Sequence, residues 1–259
     1  MNSIVTASGR SMKLRSIGSG SPLLCLNGLT QTTANWTSSA RLLADFGHRV
    51  LLTDLPGQGA SEPLADGNPK AQAETVFEFL DALGIEKIDI CGFSFGGRVA
   101  LQMAALRPDR VPRLILTSTS LGAGTVARLV VQGWLRALDR GGLEALGWDA
   151  LPWIIGDGLL NGIDPEQMVR ATVRRNSALG IRSLIQGILD DQTPVLENIA
   201  MPTLVLAGGD DRFALADEQR ANAERLPQGS FHRFAGLGHA LPVEDAQGFS
   251  EVVSAFLSA

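Results

Sequence analysis

The chain has 259 residues, of which 45% are hydrophobic and 19% charged, and its formal net charge is −5. That length suits one large domain, or one domain carrying an insertion, and the apolar fraction is enough for a sizeable core. Intrinsic disorder is excluded as the main state, a nucleic-acid partner finds no basic footprint, and no Gly-X-Y or heptad period supports a collagen-like or coiled-coil chain.

The segment Met1 to Gly20 lacks the basic start and apolar stretch of a secretory signal. No run of about 18 apolar residues follows, so a soluble cytoplasmic protein without a membrane span is expected. Leu23-Leu24-Cys25-Leu26 reads as a short buried strand closed by Asn27-Gly28, and Arg49 to Thr53 as a second ending at Asp54. Helical spacing from Ala73 to Leu83 places Val76, Phe77, Leu80 and Leu83 on one face, and Gly84 stops it. Lys87 to Cys91 is a third strand, Ser94 to Arg107 a helix stopped by Pro108, and Leu114 to Thr117 a fourth strand. Cys25 and Cys91 each lie inside an apolar run and are expected to be buried and reduced, not a disulfide framework.

From about Leu121 to Asn198 the pattern changes. Helical periods recur at Val126 to Leu138, Pro165 to Asn176 and Ser183 to Leu189, broken by glycines and Pro152, with no convincing strand. Strands return at Pro202 to Ala207 and Phe231 to Phe234, and a last helix runs from about Ala246 to Leu257. Near-continuous apolar strands alternating with helices predict an α/β fold, with a mostly parallel central sheet and helices on both faces. The expected division is a core of residues 1–120 and 199–259 and an inserted helical cap of residues 121–198.

Gly92-Phe93-Ser94-Phe95-Gly96 is a G-x-S-x-G motif between a predicted strand and a predicted helix. A serine on that sharp turn projects its hydroxyl at the carboxyl end of the sheet, and the glycines leave room for strand and helix to approach. Serine needs a base to take its proton. Of the three histidines, His48 precedes a strand and is expected to face solvent, and His232 sits within a short strand as a structural residue. His239 lies in the glycine-rich segment Gly236 to Ala240, where a loop histidine reaches the same end of the sheet. The base in turn needs an acid. Two adjacent candidates, Asp210 and Asp211, follow the strand ending near Ala207, and the order Ser…Asp…His is the one expected on such a sheet. Asp54 and the loop Gly57-x-Gly59-x-Ser61 read as a structural turn. Neither a phosphate cradle nor a metal-ligand cluster is present, so no cofactor and no metal are expected.

Taken together, Asn27-Gly28, Asp54-Leu-Pro-Gly-Gln-Gly-Ala-Ser61, the Ser94 elbow, Gly208-Gly209-Asp210-Asp211 and Gly238-His239 resemble the α/β-hydrolase fold superfamily over nearly the whole chain. The resemblance implies a triad of Ser94, His239 and Asp211, since the family's acid usually stands three residues after the glycine closing its strand. It also implies oxyanion donors at the backbone N–H groups of Leu29 and Phe95. The chain departs from the many relatives that carry His-Gly at Asn27-Gly28. Asn-Gly followed by Thr30-Gln31-Thr32-Thr33 is locally similar to a subgroup that joins 3-hydroxyacyl chains in rhamnolipid synthesis, and ordinary esterases carry Asn-Gly too.

The cap supplies Trp134 and Trp153 as expected substrate walls. Arg170, Arg174, Arg175 and Arg182 read as a solvated face, with a carboxylate or carrier phosphopantetheine as the alternative partner. The expected activity is a serine esterase acting on a small-molecule ester or acyl substrate. Acyl transfer to a hydroxyacyl acceptor, lactone hydrolysis and carbon–carbon hydrolysis share the same groups.

Overall fold

The structure, a computed structural model, describes residues 2–121 and 124–259; residues 122–123 of the expected cap lie outside it, as does Met1. The chain runs β1 (Asn2–Val5), β2 (Ser11–Ile17), β3 (Ser21–Leu26), α1 (Thr37–Asp45), β4 (His48–Thr53), α2 (Pro69–Ala82), β5 (Asp89–Phe93), α3 (Phe95–Leu106) and β6 (Leu114–Thr117). Helices α4 (Thr125–Ile154), α5 (Asp157–Leu160), α6 (Pro165–Arg175) and α7 (Ala178–Asp190) come next. They are followed by β7 (Thr203–Gly208), α8 (Ala216–Arg225), β8 (Gly229–Phe234), α9 (Leu241–Glu244) and α10 (Ala246–Ser258).

The strands form one sheet in the order β1-β2-β4-β3-β5-β6-β7-β8. β1 and β2 join it antiparallel, and every pairing from β4 to β8 is parallel. Side chains alternate across a strand, so each parallel strand feeds two cores. Leu24, Leu26, Ile90, Leu114, Leu116 and Val205 meet Val76 and Leu80 of α2, Val99 and Met103 of α3, and Ala223 of α8. Their neighbours Leu23, Cys25, Cys91, Ile115, Leu204 and Leu206 meet Ala40 and Leu43 of α1 and Phe249 and Val253 of α10. Cys25 and Cys91 are register partners on β3 and β5, both buried and free. Burial, with a hydrogen bond from Cys91 behind it, pushes the Cys25 thiol well up.

β5 lies two residues later than its predicted span, because Gly92 and Phe93 still pair with Leu116 and Thr117 before the chain turns. In α4 the helical dihedrals fail at Gly141 and Gly142, the latter at φ +68°. Pro152, expected to break this region, instead sits in the last turn, and the helix runs two residues past it to Ile154. Among the described residues no helix is long and apolar enough to cross a membrane.

His48 corrects the expectation of a solvent-facing histidine. It is the first residue of β4, is buried, and its Nε2 lies 3.3 Å from Ser254 Oγ of α10. Burial, reinforced by the nearby Arg113 charge, lowers its pKa. A histidine whose folded pKa is depressed contributes stability that is present above its ordinary value and is lost as pH falls through the folded value. His48→Gln is therefore expected to show a smaller drop in Tm than wild type between pH 7 and pH 5. Equal drops would show that another group carries the acid sensitivity.

Candidate active site

Ser94 stands between β5 and α3, capping the helix, with φ at +52° and ψ at −111°, a conformation that a side-chain-bearing residue holds only when its surroundings enforce it. The enforcement is close approach. A Cβ on Gly92 would lie 2.4 Å from the carbonyl oxygen of Gly96, and one on Gly96 would lie 2.4 Å from that of Leu26. Glycine at both places lets α3 start directly against the ends of β3 and β5. Ser94 is consequently half-buried and stands at the positive end of the α3 dipole.

His239 is buried in the loop between β8 and α9. Its Nε2 lies 3.0 Å from Ser94 Oγ, and its Nδ1 lies 2.8 Å from Asp211 Oδ2. The other oxygen of Asp211 accepts from the N–H groups of Phe213, at 2.9 Å, and Ala214, at 2.8 Å. One carboxylate oxygen is thus anchored by backbone, and the other is left for the imidazole. Asp210 is exposed and touches neither. The rings of Phe93 and Phe213 stand 5.2 and 5.5 Å from that of His239 and wall it from water. His232 is exposed on β8, edge-on to Phe234, away from this group.

Asn27-Gly28 closes β3 beside the serine. The Asn27 carboxamide donates to Thr53 O at 3.1 Å and to Gln58 Oε1 at 3.0 Å. Gln58 is fully buried, and its Nε2 donates to Gly28 O at 2.7 Å. Asp54 accepts from the Thr33 N–H at 2.7 Å. Burial pushes its carboxyl pKa up, against the hydrogen bonds from Thr33 and Asn27 and the Lys13 charge, which pull it down. The Asp54–Ser61 segment thereby braces the loop that carries Leu29. Leu29 and Ser94 line the same cavity, and Phe95 supplies the first residue of α3, whose N–H has no intrahelical acceptor.

That cavity has a volume of about 220 Å³ and is walled mainly by apolar side chains, among them Phe93, Trp134, Leu151, Ile154 and Met168. Trp134 is a wall residue, but Trp153, expected beside it, is not among the lining residues. Gly147, Ala150, Leu151 and Ile154 of α4 line the cavity, whereas the half-buried Trp153 packs against the apolar core. Arg170 pairs with Glu166 and Arg182 with Asp139, as solvated residues do. Arg175 differs. It stands exposed at the rim, lines the cavity, and forms no ion pair among the described residues. Sequence reading had no signal for Gln58 or Phe213, whose partners lie about 30 residues away. Among the described residues no group of three or more His, Cys, Asp or Glu gathers to hold a metal.

The sheet, the elbow and the loops at its carboxyl edge define a class: the chain has the α/β-hydrolase fold, and a family model described as alpha/beta hydrolase fold matches residues 21–147. Within that class, it is 29% identical to the 2-hydroxymuconate semialdehyde hydrolase of Pseudomonas putida, over 98% of this chain and 93% of the relative. The solved structure of a hydrolase from Pseudomonas aeruginosa PA01 superposes with a TM-score of 0.89 at 26% identity, covering 100% of this chain and 98% of that one. A thermophilic esterase from Thermogutta terrifontis superposes with a TM-score of 0.89 at 24% identity, covering 99% of this chain and 97% of that one, a likeness of fold alone.

The two adjacent acids separate in one experiment. Asp211→Asn is expected to slow phosphonylation of Ser94 by an activated fluorophosphonate about 10³- to 10⁴-fold, because it favours the wrong imidazole tautomer. Asp210→Asn is expected to leave the rate within about twofold, as a solvated charge does. The reverse ranking would move the acid's role to Asp210.

Proposed function

We propose that the chain is a serine hydrolase that cleaves carboxylic esters through an acyl-enzyme, with residues 121–198 acting as a cap over a core of residues 1–120 and 199–259. The single observation that supports this is the unbroken hydrogen-bonded sequence from Asp211 through His239 to Ser94, opening on an apolar cavity. Ser94 Oγ attacks the ester carbonyl while His239 Nε2 takes its proton, and Asp211 holds the imidazole in the tautomer that presents a bare Nε2. Negative charge develops on the carbonyl oxygen, and the N–H groups of Leu29 and Phe95 are its donors. Collapse expels the alcohol, which receives the proton from His239. Water, deprotonated by the same nitrogen, then attacks the acyl-enzyme, and the acid leaves as Ser94 regains its proton.

The cavity is smaller than the roughly 300–1,000 Å³ of pockets that hold drug-sized ligands. Short acyl groups are therefore favoured. With p-nitrophenyl esters from acetate to palmitate, turnover is expected to peak at the short end and to vanish in Ser94→Ala. A burst of nitrophenol that stalls would replace the hydrolase reading with acyl transfer to an acceptor other than water. No release with any ester would remove the esterase reading.

Arg175 favours a second reading of the substrate. An unpaired guanidinium at the rim of an apolar cavity suits a substrate with a carboxylate distal to the reacting carbonyl. Such a substrate is a lactone, or a carbon–carbon bond flanked by carbonyl groups, as readily as an ester. A muconate semialdehyde, named for the Pseudomonas putida relative, bears such a carboxylate. Arg175→Met is expected to raise KM about fivefold for a p-nitrophenyl ester with a terminal carboxylate, the effect of ~1 kcal/mol for an exposed ion pair, and to leave the acetate ester unchanged. Equal effects on both esters would show that Arg175 shapes the rim without reading charge.

A further inference from the structure

His239 sits in a segment that gives it little inherent rigidity. Gly236, at φ +73°, and Gly238 precede it, and glycine leaves the backbone many alternatives. The residue that removes them is Glu244, the last residue of α9. Its Oε2 accepts from the Gly238 N–H at 2.7 Å, and its Oε1 accepts from the Ala240 N–H at 3.0 Å. These are the backbone N–H groups of the residues immediately before and after His239. The same Oε1 also accepts from the N–H of Gly156, at 3.2 Å, just past the end of α4. One carboxylate therefore brackets the histidine in the chain and joins its loop to the helical insertion whose α4 residues wall the cavity.

We propose that Glu244 is a positioning residue for His239, fixing the imidazole against Ser94 and coupling it to the seating of α4. This rests on the reading of His239 as the base for Ser94. The chemistry requires a carboxylate. Three N–H donors converge on two anionic oxygens, which hold four lone-pair sites. A glutamine in its place offers one acceptor oxygen and turns an NH₂ group toward one or more of those donors. The neighbouring Asp245 supplies the contrast: its Oδ1 accepts from the Gly248 N–H and caps α10, without touching the histidine loop.

The test compares Glu244→Gln, Glu244→Ala, Glu244→Asp and Asp245→Ala in the full chain. It measures the rate at which a fluorophosphonate labels Ser94, alongside Tm and the downfield Nδ1 proton resonance of His239. Glu244→Gln and Glu244→Ala are expected to label about 10- to 100-fold more slowly at temperatures where they stay folded, and to lose that resonance to exchange. Glu244→Asp is expected to recover part of the rate. Asp245→Ala is expected to melt earlier yet label at the wild-type rate. Wild-type labelling and an intact His239 resonance in Glu244→Ala, with only Tm lowered, would overturn the proposal. Were the wild type itself unlabelled, or Ser94→Ala labelled equally, the serine-hydrolase reading would fail. The resonance would then decide for Glu244 alone: lost in Glu244→Ala and kept in Asp245→Ala it supports the positioning role, and kept in both it overturns it.

Discussion

The start of α3 has to sit hard against the ends of β3 and β5, and the rest of the site follows from that contact. It forces Ser94 into a backbone conformation that side-chain-bearing residues avoid, and it restricts the positions two before and two after it to glycine. Strain of this kind persists only where neighbours over-determine it. Here those neighbours are the two apolar layers that clamp the sheet, so the cores on both faces are as much a part of the serine's geometry as its flanking glycines.

The same contact explains which parts of the molecule are legible in sequence. The strands β3 to β7 can be read because burial on both faces writes a near-continuous apolar run, α2 and α10 because each buries an apolar face, and α3 because it is buried over most of its surface between glycine and Pro108. The antiparallel strands β1 and β2 at one end of the sheet escape that reading: β1 has four residues, and in β2 the buried Met12 and Leu14 alternate with exposed residues instead of forming a run. Helix α8 escapes it for another reason: its buried face is Ala216, Gln219 and Ala223, which carries no apolar period. At the site, Ser94 and His239 stand out because glycines beside them record a local backbone demand. Asp211 is separable from Asp210 only through the family's spacing, and in space the difference is complete, one buried and one exposed. Gln58, Phe213 and Glu244 act through tertiary contacts that leave no local trace. Trp153 is not a wall residue because composition identifies an aromatic and not what it packs against in three dimensions.

Polar ties between the helical insertion and the core fall at the loops around Ser94 and beyond them. The Asn176 carboxamide, just after α6, donates to Thr30 O at 2.9 Å and accepts from the Gly59 N–H at 3.0 Å. The Arg98–Asp191 pair, largely buried, fastens α3 to the chain leaving α7. Asn176 reaches the loop that carries Leu29, and Gly156 reaches the loop that carries His239 through Glu244. The insertion thus contacts loops on two sides of Ser94, so the shape of the cavity is mechanically linked to the placement of Leu29 and His239.

Helices α4 to α7 interrupt a crossover between two strands, not a strand itself. β6 is held in register by β5 on its other side, and β7 by β8, so neither pairing depends on how long the intervening chain is. Lengthening a connection is cheap, on the order of 0.6 kcal/mol for each doubling. The sheet that carries Ser94 is therefore indifferent to the length of this one contiguous stretch, and a different set of helices could be spliced in there provided that it kept the ties at Asn176 and Gly156.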